Sequence, residues 1–301
     1  MRAKGAMFTV LSAILSGVTP AFAKLIYAEG VNTVTLVFFR NLFAIVPLLL
    51  ICLWQRCSFR MNGRQAVQLL LSGVFGQTLT LLMLYASYQY IPIATATTLH
   101  FMYPIFITLI CALVFRERMT WFRLAALGAA TLGVGCFVDI DGGSDMGGMS
   151  LALLSALTFA YYMVSVEKSG LNRLHPFVII FYFAIVISVA IFLYGTARGE
   201  LQLSFAPQTY GKMLLFSLFT SVAALGLLQL GIRLLGAADA AILCMFEPLT
   251  SFIAGVLLLN EELSLLKAAG SVLILGAVLF MILMNRASLR KERVRNEKDQ
   301  I

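Results

Sequence analysis

Charge is what this sequence has least of. Only 12% of its 301 residues are Asp, Glu, Lys or Arg, against roughly 25% in a soluble domain. Hydrophobic residues make up 60%, and the mean hydropathy is +0.93. A soluble chain of this length cannot cover so much apolar surface with so few charges, so the chain reads as an integral membrane protein and its length is no guide to domain number. Histidine is nearly absent, with 2 residues. No CxxC, Cys/His or HExxH spacing offers a zinc site, and neither GxSxG nor a P-loop is present. Asp139, Asp141 and Gly142 resemble the start of a calcium loop. The later ligands are missing, so a solvated turn is expected there. These absences argue against an enzyme and against a bound cofactor or metal. The five cysteines, Cys52, Cys57, Cys111, Cys136 and Cys244, are expected to be small apolar residues of helices.

Long apolar runs are what the sequence does have. A helix that crosses a bilayer needs about 20 mostly apolar residues. That window gives spans near Gly5–Tyr27, Thr33–Trp54, Ala66–Tyr90, Ile93–Phe115, Trp121–Val138, Met149–Val166, Pro176–Ala197, Tyr210–Leu234, Ala238–Leu259 and Leu265–Asn285. The fold class expected is therefore an all-α integral membrane protein with ten transmembrane helices. The first run ends in Ala21-Phe22-Ala23, which resembles a signal-peptidase site. It is longer than a signal core and carries Ser12, Ser16 and Thr19, so the helix is expected to be retained.

The basic residues orient the chain. With the N-terminus in the cytoplasm, Arg2, Lys4, Arg56, Arg60, Arg64, Arg116, Arg118, Arg123, Lys168, Arg173 and Arg233 fall on the inner side, together with a tail that holds Arg286, Arg290, Lys291, Arg293, Arg295 and Lys298. Arg198, Lys212, Lys267 and the acidic loop of Asp139, Asp141 and Asp145 fall outside. This is the positive-inside pattern, and it places both termini in the cytoplasm of a multi-pass protein of the cytoplasmic (inner) membrane. It also accounts for the net charge of +8 without a nucleic-acid partner. The tail can anchor topology or touch anionic membrane lipid.

The sequence repeats itself. Pro104 and Pro248 are 144 residues apart, as are Glu117 and Glu261, Ala94 and Ala238, Ala96 and Ala240, Leu99 and Leu243, and Leu113 and Leu257. Each half places a proline inside a span, an acid just after that span, and Thr120 or Ser264 three residues on. Each half has five spans, and because five is odd the second half enters the membrane from the opposite side. The expectation is two inverted five-helix repeats, residues 1–140 and 141–285, followed by a basic tail, 286–301. In that architecture a solute site lies near the midplane between the halves.

At this point the chain resembles the EamA family of the drug/metabolite transporter superfamily over nearly its whole length. The resemblance rests on Arg40-Asn41-Leu42 in the second span, Tyr103-Pro104 leading to Arg116-Glu117-Arg118, Glu247-Pro248 leading to Asn260-Glu261-Glu262, and Lys24 closing the first span. Arg116 and Asn260 stand where the family often has glycine. The resemblance implies ten helices with both termini inside, a central cavity that opens alternately to each side, and export or uptake of small metabolites.

Candidate site residues follow from the cost of polarity in lipid. A charged side chain at the bilayer centre costs about 2.5–3.5 kcal/mol on insertion scales, which makes it a functional hypothesis. Glu247 lies nearest a span centre and precedes Pro248, whose ring breaks the local helical hydrogen bonding. Its repeat counterpart is Tyr103, one turn from His100. Glu247, Tyr103 and His100 are therefore expected at the pseudo-twofold centre, with Glu247 and His100 able to carry a coupling proton. Arg40 can meet a substrate carboxylate or snorkel to the interface. Glu117 and Glu261 are expected to sit in turns, with Thr120 and Ser264 capping the next helices.

Polar stripes at helical spacing run through Ser12, Ser16 and Thr19; Gly73, Gln77, Thr80 and Ser87; Ser155, Thr158, Tyr162 and Ser165; and Ser217 and Ser221. Singly each suits helix–helix bonding; together they suggest a shared polar cavity in which Gln77 and Tyr162 contact substrate. Tyr103, Tyr161, Tyr162 and Phe101 can wall a cation. Ala125, Ala129 and Gly133 form a small-residue face for internal packing or a homodimer. The function expected is secondary transport of a small metabolite, an amino acid or an amine-containing compound, by alternating access, with proton coupling open. The alternative is a structural or signalling membrane protein.

Overall fold

A computed structural model describes residues 2–87, 90, 91, 93–116, 119–136, 145–247, 249 and 250, with further helical residues between 253 and 284. The described residues are helical and include no strand. Six helices are long and apolar enough to cross a membrane: α1 (Arg2–Tyr27), α2 (Thr33–Trp54), α3 (Gly63–Ser87), then α7 (Met146–Lys168), α8 (Pro176–Arg198) and α9 (Pro207–Leu235). They match the first three spans expected in each half. Between them lie shorter helices, α4 (Ile93–His100), α5 (Tyr103–Leu113) and α6 (Trp121–Gly135), and after α9 comes α10 (Ala237–Cys244).

Local chemistry sets the helix ends. Asn32 accepts from the Thr35 amide at 2.8 Å at the start of α2, and Asn62 and Gln65 form a capping box at the start of α3. Asp145 accepts from the Gly148 amide at 2.8 Å to open α7, and Pro176 and Pro207 open α8 and α9, where a missing amide hydrogen costs nothing. Thr120 takes the extended N-cap conformation before α6, but its hydroxyl makes no capping bond. Glu117, Glu261, Ser264, the loop of Asp139 and Asp141, and the basic tail lie outside the described residues.

The ninth span was expected to kink at Pro248, and the chain breaks both that span and its counterpart, the fourth. At Phe101–Met102 and again at Met245–Phe246 the backbone switches to tighter bonds, with the Met102 amide reaching Leu99 and the Met245 amide reaching Ile242. Each break lies just ahead of a proline. A proline has no amide hydrogen to give the carbonyl four residues back, here those of His100 and Cys244, and in a continuous helix its ring would clash there.

The long helices pair across the halves in reverse order: α1 packs on α9, α2 on α8 and α3 on α7. The middle of α3 (Ser72–Thr78) and of α9 (Leu218–Ala224) winds as a π-helix, a widening that recurs at functional sites. Large apolar side chains cover the outside, among them Val46, Leu50, Leu132 and Leu193. On a soluble protein such a surface would be an aggregation liability, whereas lipid accommodates it. Trp54 and Trp121 lie exposed at helix ends, where indole rings suit the membrane interface.

The small-residue face of α6 is rotated from expectation. Ala126, Ala130 and Gly133 are buried while Ala125 is exposed. Gly133 lies against the Gly270 carbonyl and Ile274, so its close contact is internal. Of the cysteines, Cys57 lies in the loop after α2 rather than in a helix, and all five are free thiols. Across the far end of α1 and α9, Lys212 bonds Glu29 and holds that carboxyl below the usual carboxylate range.

Close approach is tightest at Gly17 of α1. A Cβ there would meet the Glu247 carbonyl oxygen at 2.6 Å and collide with Thr250, whose hydroxyl donates to the Glu247 carbonyl at 2.9 Å and lies 3.2 Å from that of Ala13. Gly17→Ala is expected to lower stability by about 1–3 kcal/mol, the usual cost of overpacking. Gly128→Ala, where nothing lies within 4 Å, is expected to be neutral or slightly stabilising. Thermal unfolding of the two purified variants in one detergent measures the contrast.

Candidate functional site

The two helix breaks and the two π-helical segments converge on one region inside the bundle. Tyr103 opens α5 just past the first break and is buried. Its side chain comes near Cys244 at the second break. Half-buried Glu247 follows three residues later, close enough for its charge to act on Tyr103 and Cys244. The sequence-expected pair at the centre, Glu247 and Tyr103, is thus brought together by the fold.

Arg40 does not snorkel outward. Its Nε donates to Ser221 Oγ at 3.0 Å, and Ser217 donates to the Arg40 carbonyl at 2.6 Å. Both serines come from α9 beside or within its π-helical segment. The guanidinium is thereby held inside the bundle, where its charge acts on Glu247 and on Tyr27 at the end of α1. Lys24, in contrast, is exposed and stays out of the site.

His100 ends α4. Its Nδ1 lies 2.9 Å from Ser155 Oγ, and its ring centre lies 5.6 Å from Tyr103 and 5.4 Å from Phe159. The imidazole therefore has a structural partner on α7 and flanks the site without reaching Glu247. An aromatic row continues from Tyr103 through Phe159, 4.8 Å away, to Tyr162 at a further 5.5 Å. The aromatic wall expected from the sequence included Tyr161. That side chain instead meets Gln68 at 3.4 Å, because residue 161 sits about 100° round the helix from 162. Phe159 takes its place, while Phe101 stays near, 6.3 Å from Tyr103.

Tyr162 is the polar hub. Gln229 of α9 donates to its hydroxyl, and Gln77 of α3 lines the same small cavity as Tyr162. Gly76 allows this approach, since a Cβ there would sit 2.8 Å from the Tyr162 Cβ. A small cavity opens beside Tyr162, bordered by Asn41, Gln77, Phe183 and Ser221. Its volume of about 10 Å³ is close to the least that holds one water molecule. This cavity is too small to hold a solute.

Most of the polar stripes do not line this cavity. Thr80 and Thr158 bond each other at 2.7 Å, Ser72 bonds Ser165, and Gln68 donates to Ser165 at 2.9 Å. These contacts zip α3 to α7. Ser12 donates to the Ala224 carbonyl at 2.8 Å and joins α1 to α9. Gln77, Tyr162 and Ser221 are the stripe members that face the cavity. Gln229, Phe159 and Cys244 escaped the sequence reading. Gln229 was legible, because Ser217, Ser221 and Gln229 continue one stripe in steps of four and eight. Phe159 and Cys244 carry no such signal.

The fold and site define a multi-pass membrane protein of the transporter type, with an ionisable centre buried between broken helices. The sequence profile of the EamA-like transporter family matches the chain twice, over residues 3–138 and 146–283, and the chain belongs to that family. Its relatives carry transporter names. An uncharacterized transporter of Synechocystis is 30% identical over 65% of this chain and 60% of its own length, so the chain spans somewhat less than two thirds of that relative. Human solute carrier family 35 member G1 is 26% identical over 85% of this chain and 73% of its own. A protein solved by crystallography, 17% identical, superposes with a TM-score of 0.82 over 95% of this chain and 99% of its own, a likeness of fold alone.

Proposed function

We propose that the chain is a secondary transporter that moves a small metabolite, an amino acid or an amine-containing compound, across the cytoplasmic membrane by alternating access. The observation that carries this reading is the gathering of ionisable side chains inside an apolar bundle: Arg40, held by Ser221 and Ser217, and half-buried Glu247 beside a helix break. Arg40 suits a substrate carboxylate and Glu247 a substrate amine, with Tyr103 and Tyr162 presenting ring surface to a cation. Gln77 and Tyr162 supply the neutral polar contacts and His100 orients the aromatic row. Glu247 also suits the exchange of a coupling proton. Ten helices in two inverted repeats are the architecture that suits this mechanism. The two profile matches, the reversed pairing of long helices and the matching breaks ahead of Pro104 and Pro248 support it.

The test is flux in liposomes with a panel of amino acids and amines, each with and without a pH gradient. Accumulation of one class is expected. No flux for any solute, from protein that is folded and inserted, favours a structural or signalling role instead. The basic residues assign both termini to the cytoplasm. A reporter active only in the periplasm, fused after Ile301, is expected to stay silent, and activity there overturns the assigned orientation.

A further inference from the structure

We propose that Arg123, Asp239 and Glu167 form a latch that holds the cytoplasmic end of the central site shut, and that the residues at the corresponding positions of the other repeat cannot form one. The inference rests on the alternating-access reading above.

Asp239 lies in the first turn of α10 with its side chain fully shielded, and Arg123, at the start of α6, pairs with it through Nε–Oδ1 at 2.6 Å and Nη2–Oδ2 at 2.9 Å. A shielded carboxylate left without that partner would be strongly destabilised. Arg2 of α1 adds its charge from a third element. Glu167, in the last turn of α7, reaches across to the same place. Its Oε2 accepts from the Ala237 amide at 2.6 Å and its Oε1 from Lys168 at 2.8 Å. A carboxylate from one helix thus caps the start of another, where an orphan amide and the helix dipole favour negative charge. The chain comes this close because Gly236 adopts φ +88°, and a Cβ there would sit 3.2 Å from Glu167 Oε1.

α7 packs with α3, α4 and α5; α10 packs with α1, α9 and α5 and more lightly with α6 and with α7 itself. The Glu167–Ala237 bond ties the end of α7 to the start of α10, so these two ends cannot part without breaking it.

The sequence register of the two halves gives the counterparts of the latch residues. One repeat of 144 residues away, Glu167 corresponds to Ala23, Ala237 to Ile93, Arg123 to Lys267 and Asp239 to Thr95. Alanine has no acceptor with which to cap a helix, and threonine has no charge to pair with lysine. Two symmetric halves would make the ends equally easy to open. The latch breaks that symmetry in favour of a closed inner end, and cytoplasmic access to the site must rupture it on every cycle.

Cys244 is a built-in reporter, since it lies at the central site. With Cys52, Cys57, Cys111 and Cys136 replaced, a membrane-impermeant thiol reagent is applied from either face, using right-side-out and inside-out vesicles. Labelling from the cytoplasmic face is expected to be slow, and to rise about tenfold, equivalent to a loss of 1.4 kcal/mol of closure, in Glu167→Ala and in Asp239→Asn. The exchange Arg123→Asp with Asp239→Arg is expected to restore slow labelling. Glu167→Ala leaves the Arg123–Asp239 pair intact, so the test survives if Asp239→Asn fails to fold. Unchanged cytoplasmic rates, with Cys244 still labelled from the outer face, overturn the latch and leave the transport reading standing. Labelling from neither face in any variant overturns alternating access and the latch with it.

Discussion

Glu247→Gln is expected to cut transport of an amine-bearing substrate by about one to two orders of magnitude, because a hydrogen bond to a charged group contributes about 1.5–3 kcal/mol and each 1.4 kcal/mol is tenfold. The amide has nearly the shape of the acid, so insertion and fold are expected to persist. The substituted group can neither exchange a proton nor pair with an ammonium, and the two losses leave different traces. A substrate-binding carboxylate predicts weaker binding of cationic substrates at every pH. A coupling carboxylate predicts uptake that no longer follows the pH gradient, with substrate exchange retained. Binding measured against pH for both proteins separates the cases. A variant that matches wild type in flux and in pH profile would show Glu247 to be structural.

Arg40→Lys is expected to insert and fold normally but to lose about tenfold or more in affinity for substrates that carry a carboxylate. Lysine keeps the charge but not the planar fork. The guanidinium is oriented by its Nε bond to Ser221 at 3.0 Å, and we assign its terminal nitrogens to the substrate. An ammonium cannot make both contacts in that geometry. Binding of an amino acid and of its decarboxylated amine, compared in wild type and variant, gives the check. The amine is expected to be nearly unaffected, and equal loss for both ligands would remove Arg40 from carboxylate recognition.

The positions at which the sequence and the structure part company share a cause. Helical periodicity says which residues lie on one face, but not what that face meets. The stripes of α3 and α7 were legible, yet Thr80 meets Thr158 and Ser72 meets Ser165, so most of their polarity joins helices. Tyr161 and Tyr162 are neighbours of the same type, and only the helix rotation decides that the second enters the site. Arg123 read as one more loop cation for topology. Its pairing with Asp239 spans 116 residues of chain, and nothing local to either residue announces it. The Arg40 rotamer is likewise set by serines on a distant helix.

The sequence by itself determined that this chain belongs in a membrane, where its long helices lie, and where two of its helices break. Those outcomes follow from local physics: apolar length, caps, and prolines that cannot donate. It also singled out Glu247, Tyr103, His100 and Arg40, because ionisable and polar groups in apolar runs are costly enough to stand out. Only the tertiary structure decided that Arg40 turns inward to Ser221, that His100 is occupied by Ser155, that Tyr103 comes near Cys244 and that Gln77 and Gln229 meet at Tyr162. In lipid, apolar helix surfaces gain little from choosing one apolar neighbour over another, so close approach at glycines and a few interhelical hydrogen bonds select the arrangement. Such contacts depend on rotation and register between helices far apart in the chain, and a one-dimensional pattern does not encode them.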